Sequence, residues 1–400
     1  MGRITVIGMD GGPLDVEAQE LLEKATLVAG GRRHLEKLGV ASERAAALQA
    51  DLSEALSRIE DAEGPVVVLA SGDPGFFGIV RLLGERFGSD RLLVFPGVSS
   101  VALAFARAGL PWDDAISVSA HGRNPHHAVN VCRAHPKVAF LTSPEFGPAS
   151  LAQELEGWGR SFFVAEKLGE PNERTLYGDV AAVVGEQWRD PNVVLVLDEA
   201  RKVGRKGWIS GSFRSPGRWA LPVDAFEHRS GMITKPEARA LVLAGLGPGP
   251  GDLIWDVGAG SGSVAIECAR LGAAAIAVER DPESCARIRK NAARHGACVR
   301  VVEGEAPEAL HDLPEPDAVF VGGSGGNFEE IVKLCAVRAR RCVVLTLISL
   351  ERVVPAGELL ADCGLEVETT LLQASRVKGI GTLHRLAAET PIFVVWGRKP

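Results

Sequence analysis

Largely apolar runs of three to five residues recur through the first half of the chain, separated by amphipathic stretches. The runs at 4–7, 66–69, 92–95, 116–118, 138–141, 162–165 and 193–197 are rich in Val, Ile, Leu and Phe and predict strands. The stretches 15–25, 76–87, 99–108 and 148–156 predict helices. Strands alternating with helices imply largely parallel sheets covered by helices. The pattern breaks between Arg201 and Arg218, where Gly, Ser, Pro and basic residues crowd together without one acidic side chain. A second β/α series follows. Thr234-Lys-Pro-Glu237 reads as a capping box that opens a helix, 253–255 and 275–279 as strands, and 264–271 as a helix. The predicted fold class is α/β, with domains at 1–205 and 219–400 joined by a basic Gly/Ser-rich linker at 206–218.

Composition narrows the class. A chain of 400 residues exceeds what one core usually serves. No apolar run approaches the roughly 18 residues of a membrane span, and the N-terminus lacks a signal-peptide pattern. The seven cysteines are scattered, with no C-x-x-C, which argues against disulfides and fits a reducing cytoplasm. A net charge of −7 opposes a nucleic-acid partner but leaves an anionic small molecule open.

The most specific motif is Asp256-Val-Gly-Ala-Gly-Ser-Gly262, set between a strand and a helix. Backbone N–H groups and a helix N-terminus would face a ligand there. The spacing is G-x-G-x-G rather than G-x-G-x-x-G, and the acid before it suits a cationic ligand better than a pyrophosphate. Glu279, ending the next strand, could accept both hydroxyls of a ribose. The set resembles the S-adenosylmethionine site of Rossmann-like (class I) methyltransferases; a dinucleotide site is the alternative. In that family the segment after the third strand, here Glu303-Gly-Glu305-Ala306, holds adenine.

Four turns follow apolar strands in the first half: Ile7-Gly-Met-Asp-Gly-Gly-Pro13, Ala70-Ser-Gly-Asp-Pro-Gly-Phe-Phe-Gly78, Pro96-Gly-Val-Ser-Ser100 and Ser119-Ala-His-Gly-Arg123. Loops at the carboxyl ends of strands converge on one cleft. Together with Ala29-Gly-Gly-Arg-Arg-His-Leu35 and Asn172-Glu-Arg-Thr-Leu-Tyr-Gly178, they resemble the tetrapyrrole (class III) methylase family, in the branch that methylates a corrin precursor at C5. The first loop departs from the G-x-G-P-G of many members. In the second half, Met232-Ile-Thr-Lys-Pro-Glu-Ala-Arg-Ala240, Val321-Gly-Gly-Ser-Gly-Gly326, Ser375-Arg-Val-Lys378 and Pro391-Ile-Phe-Val-Val-Trp-Gly397 resemble the C15-methylating, decarboxylating enzymes of the same pathway.

The resemblance implies a two-lobed tetrapyrrole-methylase domain fused to a class I methyltransferase domain. It further implies a precorrin of cobalamin biosynthesis as substrate, loss of CO2 from its C12 acetate, one S-adenosylmethionine per domain, no metal, and a homo-oligomer. The implied methyl-donor residues are Gly8, Asp73, Phe76, Ser99 and Ser100 in the first half. In the second they are Thr234, Asp256, Gly258, Gly260, Gly262, Glu279, Glu305, Ala306 and Gly322.

A substrate with many carboxylates calls for Arg and Lys anchors. The candidates are Arg32, Arg33 and Arg123, and then Arg376 and Lys378. Lys235 and Arg239 lie four apart, on one face near a helix start that itself favours an anion, and are candidates for the decarboxylation site. His121 is a candidate base. His121, His126 and His127 have no acidic or Cys partner at ligand spacing, so no metal site is expected. Trp255, Cys268 and Cys285 are expected to pack in cores. An RNA methyltransferase, or a fusion with one inactive half, is the competing reading.

Overall fold

The structure is a computed structural model. It describes residues 3–48, 52–204, 209–211, 217–229, 233–323 and 325–400. Much of the linker expected at 206–218 lies outside the described residues, as do Met232 and Ser324 of the quoted motifs. The chain groups into two units: Met1–Arg123 with Ala139–Gln153 and Arg160–Ser210, and Asn124–Val138 with Glu154–Gly159 and Gly211–Pro400. Two short segments early in the chain thus belong to the later unit.

The first unit contains β1 (Ile4–Met9), β2 (Leu27–Gly30), β3 (Ala45–Ala47), β4 (Val66–Ser71) and β5 (Leu92–Phe95), in a parallel sheet ordered β3-β2-β4-β1-β5. β1 and β4 are near-continuous Val, Ile and Leu runs because helices cover both faces of such a sheet. Their register, Ile4 with Val66 and Ile4 with Leu92, releases the turns after β1, β4 and β5 at one sheet end. A side chain at Gly8 would strike the backbone of Gly72 and Gly97, so these turns pack backbone to backbone.

A second sheet is built from β6 (Ile116–Ser119), β7 (Lys137–Leu141), β8 (Ser161–Glu166), β9 (Arg174–Gly178) and β10 (Asn192–Leu197), ordered β6-β7-β10-β8-β9. Here β8 runs antiparallel to both β10 and β9, which departs from the parallel expectation. β9 escaped prediction because alternate residues face solvent, leaving no apolar run. The helix expected at 76–87 begins only at Val80; residues before it form a turn in which Phe77 takes φ 53°.

The second unit places β11 (Leu253–Val257), β12 (Ala274–Glu279), β13 (Val299–Glu303), β14 (Ala318–Val321), β15 (Cys342–Leu347), β16 (Glu366–Leu372) and β19 (Ile392–Arg398) in one seven-stranded sheet, with β17 (Ser375–Ile380) and β18 (Leu383–Ala388) as a separate hairpin. The order β13-β12-β11-β14-β15-β19-β16 is parallel except for β19. The chain leaves β11 toward β12 on one side and returns to β14 on the other, so the Asp256 loop sits at the topological switch point, where such sheets bind ligands. Trp255, Cys268 and Cys285 are fully buried, in keeping with packing roles. Among the described residues no helix is long and apolar enough to cross a membrane.

The capping box does not form. Lys235, not Thr234, is the N-cap of the helix Pro236–Leu246, and no side chain caps it. Pro236 at the first helical position removes one N–H that would need a partner.

Candidate active sites

In the first unit, a cavity of about 450 Å³ lies at the carboxyl ends of β1 and β4, within the range of small-molecule sites. All four sequence turns reach it, through Gly11, Phe76, Ser100 and His121 among others. Asp10 ties two of them together, accepting from Gly12 N at 2.9 Å and Val98 N at 3.1 Å. The Val98 N–H in particular holds the Asp10 carboxyl below its ordinary range.

Three expected residues shape the wall from behind. Gly8 provides the close backbone approach, Asp73 accepts from Gly75 N at 2.8 Å, and Ser99 caps the helix Ser100–Ala108 through Ala102 N. Arg33 lines the cavity and pairs with Glu170 at 2.8 Å. Arg32 and Arg123 are exposed and do not line it, so the structure does not bring these two anchors to the site. Sequence reasoning passed over Asp10, His34, Lys37 and Ser71, although all but Lys37 stood inside quoted motifs.

The second unit has a cavity of about 610 Å³ bounded by Gly258, Gly260, Glu279, Glu305, Ala306 and Gly322, with Thr234 at one side. Gly258, Gly260 and Gly262 all have left-handed φ, at 69°, 56° and 72°. A Cβ on Gly262 would lie 2.7 Å from Ile288, so Gly262 serves packing and does not face the cavity. Glu279 braces the loop, accepting from Gly260 N at 2.8 Å and Asp281 N at 3.0 Å.

Asp256 lies beneath the loop and not on the cavity wall. One carboxylate oxygen accepts from Ala265 N at 2.9 Å, while the other is buried without a partner. Burial pushes its pKa up to about 7, opposed by the Ala265 N–H and aided by the charge of Glu279. Asp256, expected among the methyl-donor residues, is thus a buried group under the helix start and not part of the cavity lining.

Arg239 requires a larger correction. It is fully buried, 2.7 Å from an equally buried Glu267. Its remaining donors reach the carbonyls of Thr234 and Leu221, and its guanidinium lies 4.9 Å over the Phe226 ring. Glu267 also accepts from Ala220 N and Leu221 N. The pair pins the segment entering the domain and is not available to grip a carboxylate. Lys235, one turn earlier, is half-buried at the N-cap, so the two do not form an exposed basic face.

Arg376 pairs with Glu237 at 2.6 Å and Glu389 at 3.4 Å, and Lys378 is exposed on β17; neither lines the cavity. The cations that do line it, Arg229 and Arg280, were missed because they sit in irregular segments without periodicity. Arg280 bridges to Glu305 at 2.9 Å. Ile233, Phe320, Ile348 and Ile392 supply an apolar wall.

His126 has an acidic neighbour that local spacing could not reveal. Its Nε2 lies 3.0 Å from Asp317, a residue 191 positions away, while His127 Nδ1 bonds to the Gly251 carbonyl at 2.9 Å. His126, His127 and Asp317 have ligand-capable atoms within 4.8 Å of one another. Asp317 also accepts from Leu253 N at 2.7 Å. Hydrogen bonds therefore account for the cluster.

Comparison with known proteins bears on both cavities. Residues 7–184 match the family of tetrapyrrole (corrin/porphyrin) methylases, and residues 224–398 match the precorrin methyltransferase domain. A precorrin-6Y C(5,15)-methyltransferase [decarboxylating] from Sinorhizobium sp is 39% identical over 99% of this chain and 94% of its own. A cobalt-precorrin-7 C(5)-methyltransferase from Salmonella typhimurium is 35% identical over 49% of this chain and 99% of its own. A protein from Pyrobaculum calidifontis, named as a probable cobalt-precorrin-6B C(15)-methyltransferase (decarboxylating), is 33% identical over 46% of this chain and 96% of its own. With such identity along nearly the full length of both chains, this chain belongs to the family of precorrin-6Y C(5,15)-methyltransferases (decarboxylating) of cobalamin biosynthesis.

Proposed function

We propose that the two cavities divide the family's reaction: the first unit methylates the precorrin at C5, and the second methylates it at C15 and removes CO2 from the C12 acetate. The observation that carries this reading is the presence of two cavities, each at the carboxyl ends of its own parallel strands and each within its own family match. Two single-function relatives, one named for C5 and one for C15, are each spanned almost whole by about half of this chain.

Both cavities fit S-adenosylmethionine, one per unit. In the second, the side-chain-free strip at Gly258 and Gly260 suits a ligand brought close to backbone, with the buried Asp256 carboxylate beneath the loop and Glu279 on the wall at hand for hydroxyls. In the first, the backbone of Gly8, Gly72 and Gly97 forms the corresponding close-packed floor. The methyl donor supplies an already activated methyl group, so the protein's share is alignment of the attacking ring carbon and exclusion of water. Arg33 and Lys37 in the first cavity, and Arg229 and Arg280 in the second, are placed to meet peripheral carboxylates. The conjugated macrocycle itself accepts the electrons released by the departing CO2. The same reading makes the enzyme a cytoplasmic homo-oligomer acting on an anionic tetrapyrrole and not on nucleic acid; the net charge of −7 supports the last point alone.

Mass spectrometry of products made by the full chain tests the division. A Cβ at Gly97 would press on Gly8 and Gly72, and one at Gly258 on the Gly323 backbone. Gly97→Ala should therefore yield product lacking only the C5 methyl. Gly258→Ala should yield product lacking the C15 methyl and retaining CO2. The opposite pairing would refute the assignment.

A further inference from the structure

Methyl transfer to a ring carbon leaves a charge to be resolved. The carbon's electron pair forms the new C–C bond as the C–S bond breaks, and the sulfonium's positive charge passes to the macrocycle. Neutrality returns when the methylated ring gives up one proton. A site for this reaction is more effective with a positioned proton acceptor.

Ser71 ends β4 and exposes its hydroxyl to the cavity, next to Gly72 of the second turn. Beside it, 2.8 Å from Ser71 Oγ, lies Nε2 of His34, a side chain only 7% exposed at the edge of the same cavity. Arg33 Nη2 also approaches Ser71 Oγ, at 3.5 Å, but a guanidinium can only donate. With Arg33 donating to Oγ, the hydroxyl keeps its own proton for His34, whose Nε2 can accept it in the tautomer protonated at Nδ1. We infer that Ser71 and His34 form the proton-accepting pair of the first methylation site: Ser71 takes the proton from the methylated macrocycle as it passes its own to His34 Nε2. This rests on the assignment of C5 methylation to the first unit.

The surroundings keep the acceptor empty until it is needed. Burial, with Arg33 and Lys37 on the same helix, holds the His34 pKa below its ordinary value, so the ring is neutral at pH 7. Glu170, on the turn after β8, opposes this and would favour the imidazolium once formed. Asp10, on the turn after β1, and His121, on the turn after β6, are the other titratable groups on the cavity wall. Ser71 would touch the substrate, whereas His34 acts through Ser71 and is a positioning residue.

The test uses the full chain, precorrin and S-adenosylmethionine, with the two methyls and CO2 counted separately by mass spectrometry. His34→Gln keeps a polar partner for Ser71 but cannot take up a proton. It should lower kcat for C5 transfer at least about 100-fold, the usual worth of a positioned base, with KM changed less than about threefold. The fall in wild-type C5 rate on the acid side, as His34 protonates, should vanish in this variant. Ser71→Ala should lower the C5 rate similarly, and it carries the test if His34→Gln folds poorly. C5 rates within twofold of wild type in Ser71→Ala, or an unchanged acid limb in a folded His34→Gln, would overturn the pair. Loss of the C15 methyl in place of the C5 methyl would instead overturn the assignment of the units.

Discussion

Replacing Asp256 by asparagine separates the two effects of burying a carboxylate under a ligand loop. In the folded chain this group holds its proton up to about pH 7, against an ordinary value of 3.8. A folded pKa above the unfolded one means the native state binds more protons between those values, so stability falls as pH rises from about 4 to about 7 and is level beyond. At about 1.4 kcal/mol per pH unit, the ionised form costs about 4 kcal/mol by pH 8. Asparagine removes that charge and keeps an oxygen for Ala265 N, but it places an amide where the unpartnered oxygen now lies, at a cost of about 1–3 kcal/mol. The net expectation is a gain of about 1–3 kcal/mol at pH 8, read by urea unfolding of the full chain without ligand, and little or no gain near pH 4. Binding should move the other way. A cationic methyl donor favours the ionised carboxylate beneath its loop, so its affinity for the second unit should fall as pH drops below about 7, as calorimetry would show. In Asp256→Asn this slope should flatten, with weaker binding at pH 8. A variant less stable than wild type at pH 8, or one with undiminished donor affinity, would refute the reasoning.

Arg239→Met should destabilise the second unit by about 3–5 kcal/mol, because it strands the buried Glu267 charge; adding Glu267→Leu should recover much of the loss in denaturant unfolding. Although burial opposes it, hydrogen bonds from His126 and Leu253 N hold Asp317 below the usual carboxylate range. Its stabilisation is therefore present above the unfolded pKa and lost as pH falls through the folded one, and Asp317→Asn should reduce that acid sensitivity in thermal melts. A fragment spanning only 219–400 should unfold at lower denaturant concentration than the same unit in the full chain, since Asn124–Val138 and Glu154–Gly159 belong to it; equal midpoints would show those segments to be dispensable.

How much was legible follows from what each signal depends on. Although β14 and β15, equally buried, were passed over, β1, β4, β10 and β11 were readable because burial on both faces forces unbroken apolar runs. β9 and β16 were not, because edge strands with one or both faces in water lose that mark. The glycine loops were readable for a similar reason. Left-handed φ at Gly258 and Gly260 excludes most other residues, so the backbone requirement is written directly into residue type.

Charged residues carry no such mark, and there the sequence misled. Arg239 and Arg376 looked like anchors because an arginine beside a motif looks alike whether it faces ligand or carboxylate. Their principal partners, Glu267 and Glu237, lie 28 and 139 positions away, and only the fold decides which guanidinium is already committed. The same holds in reverse for His34, which seemed incidental within its motif until β4 brought Ser71 within 2.8 Å of it. Backbone constraints are local and survive in the chain as residue identity, whereas the fate of a side-chain charge depends on distant partners. Sites of methyl transfer, whose chemistry rests on close backbone approach and alignment, are accordingly more readable from sequence than the anchors that hold their substrates.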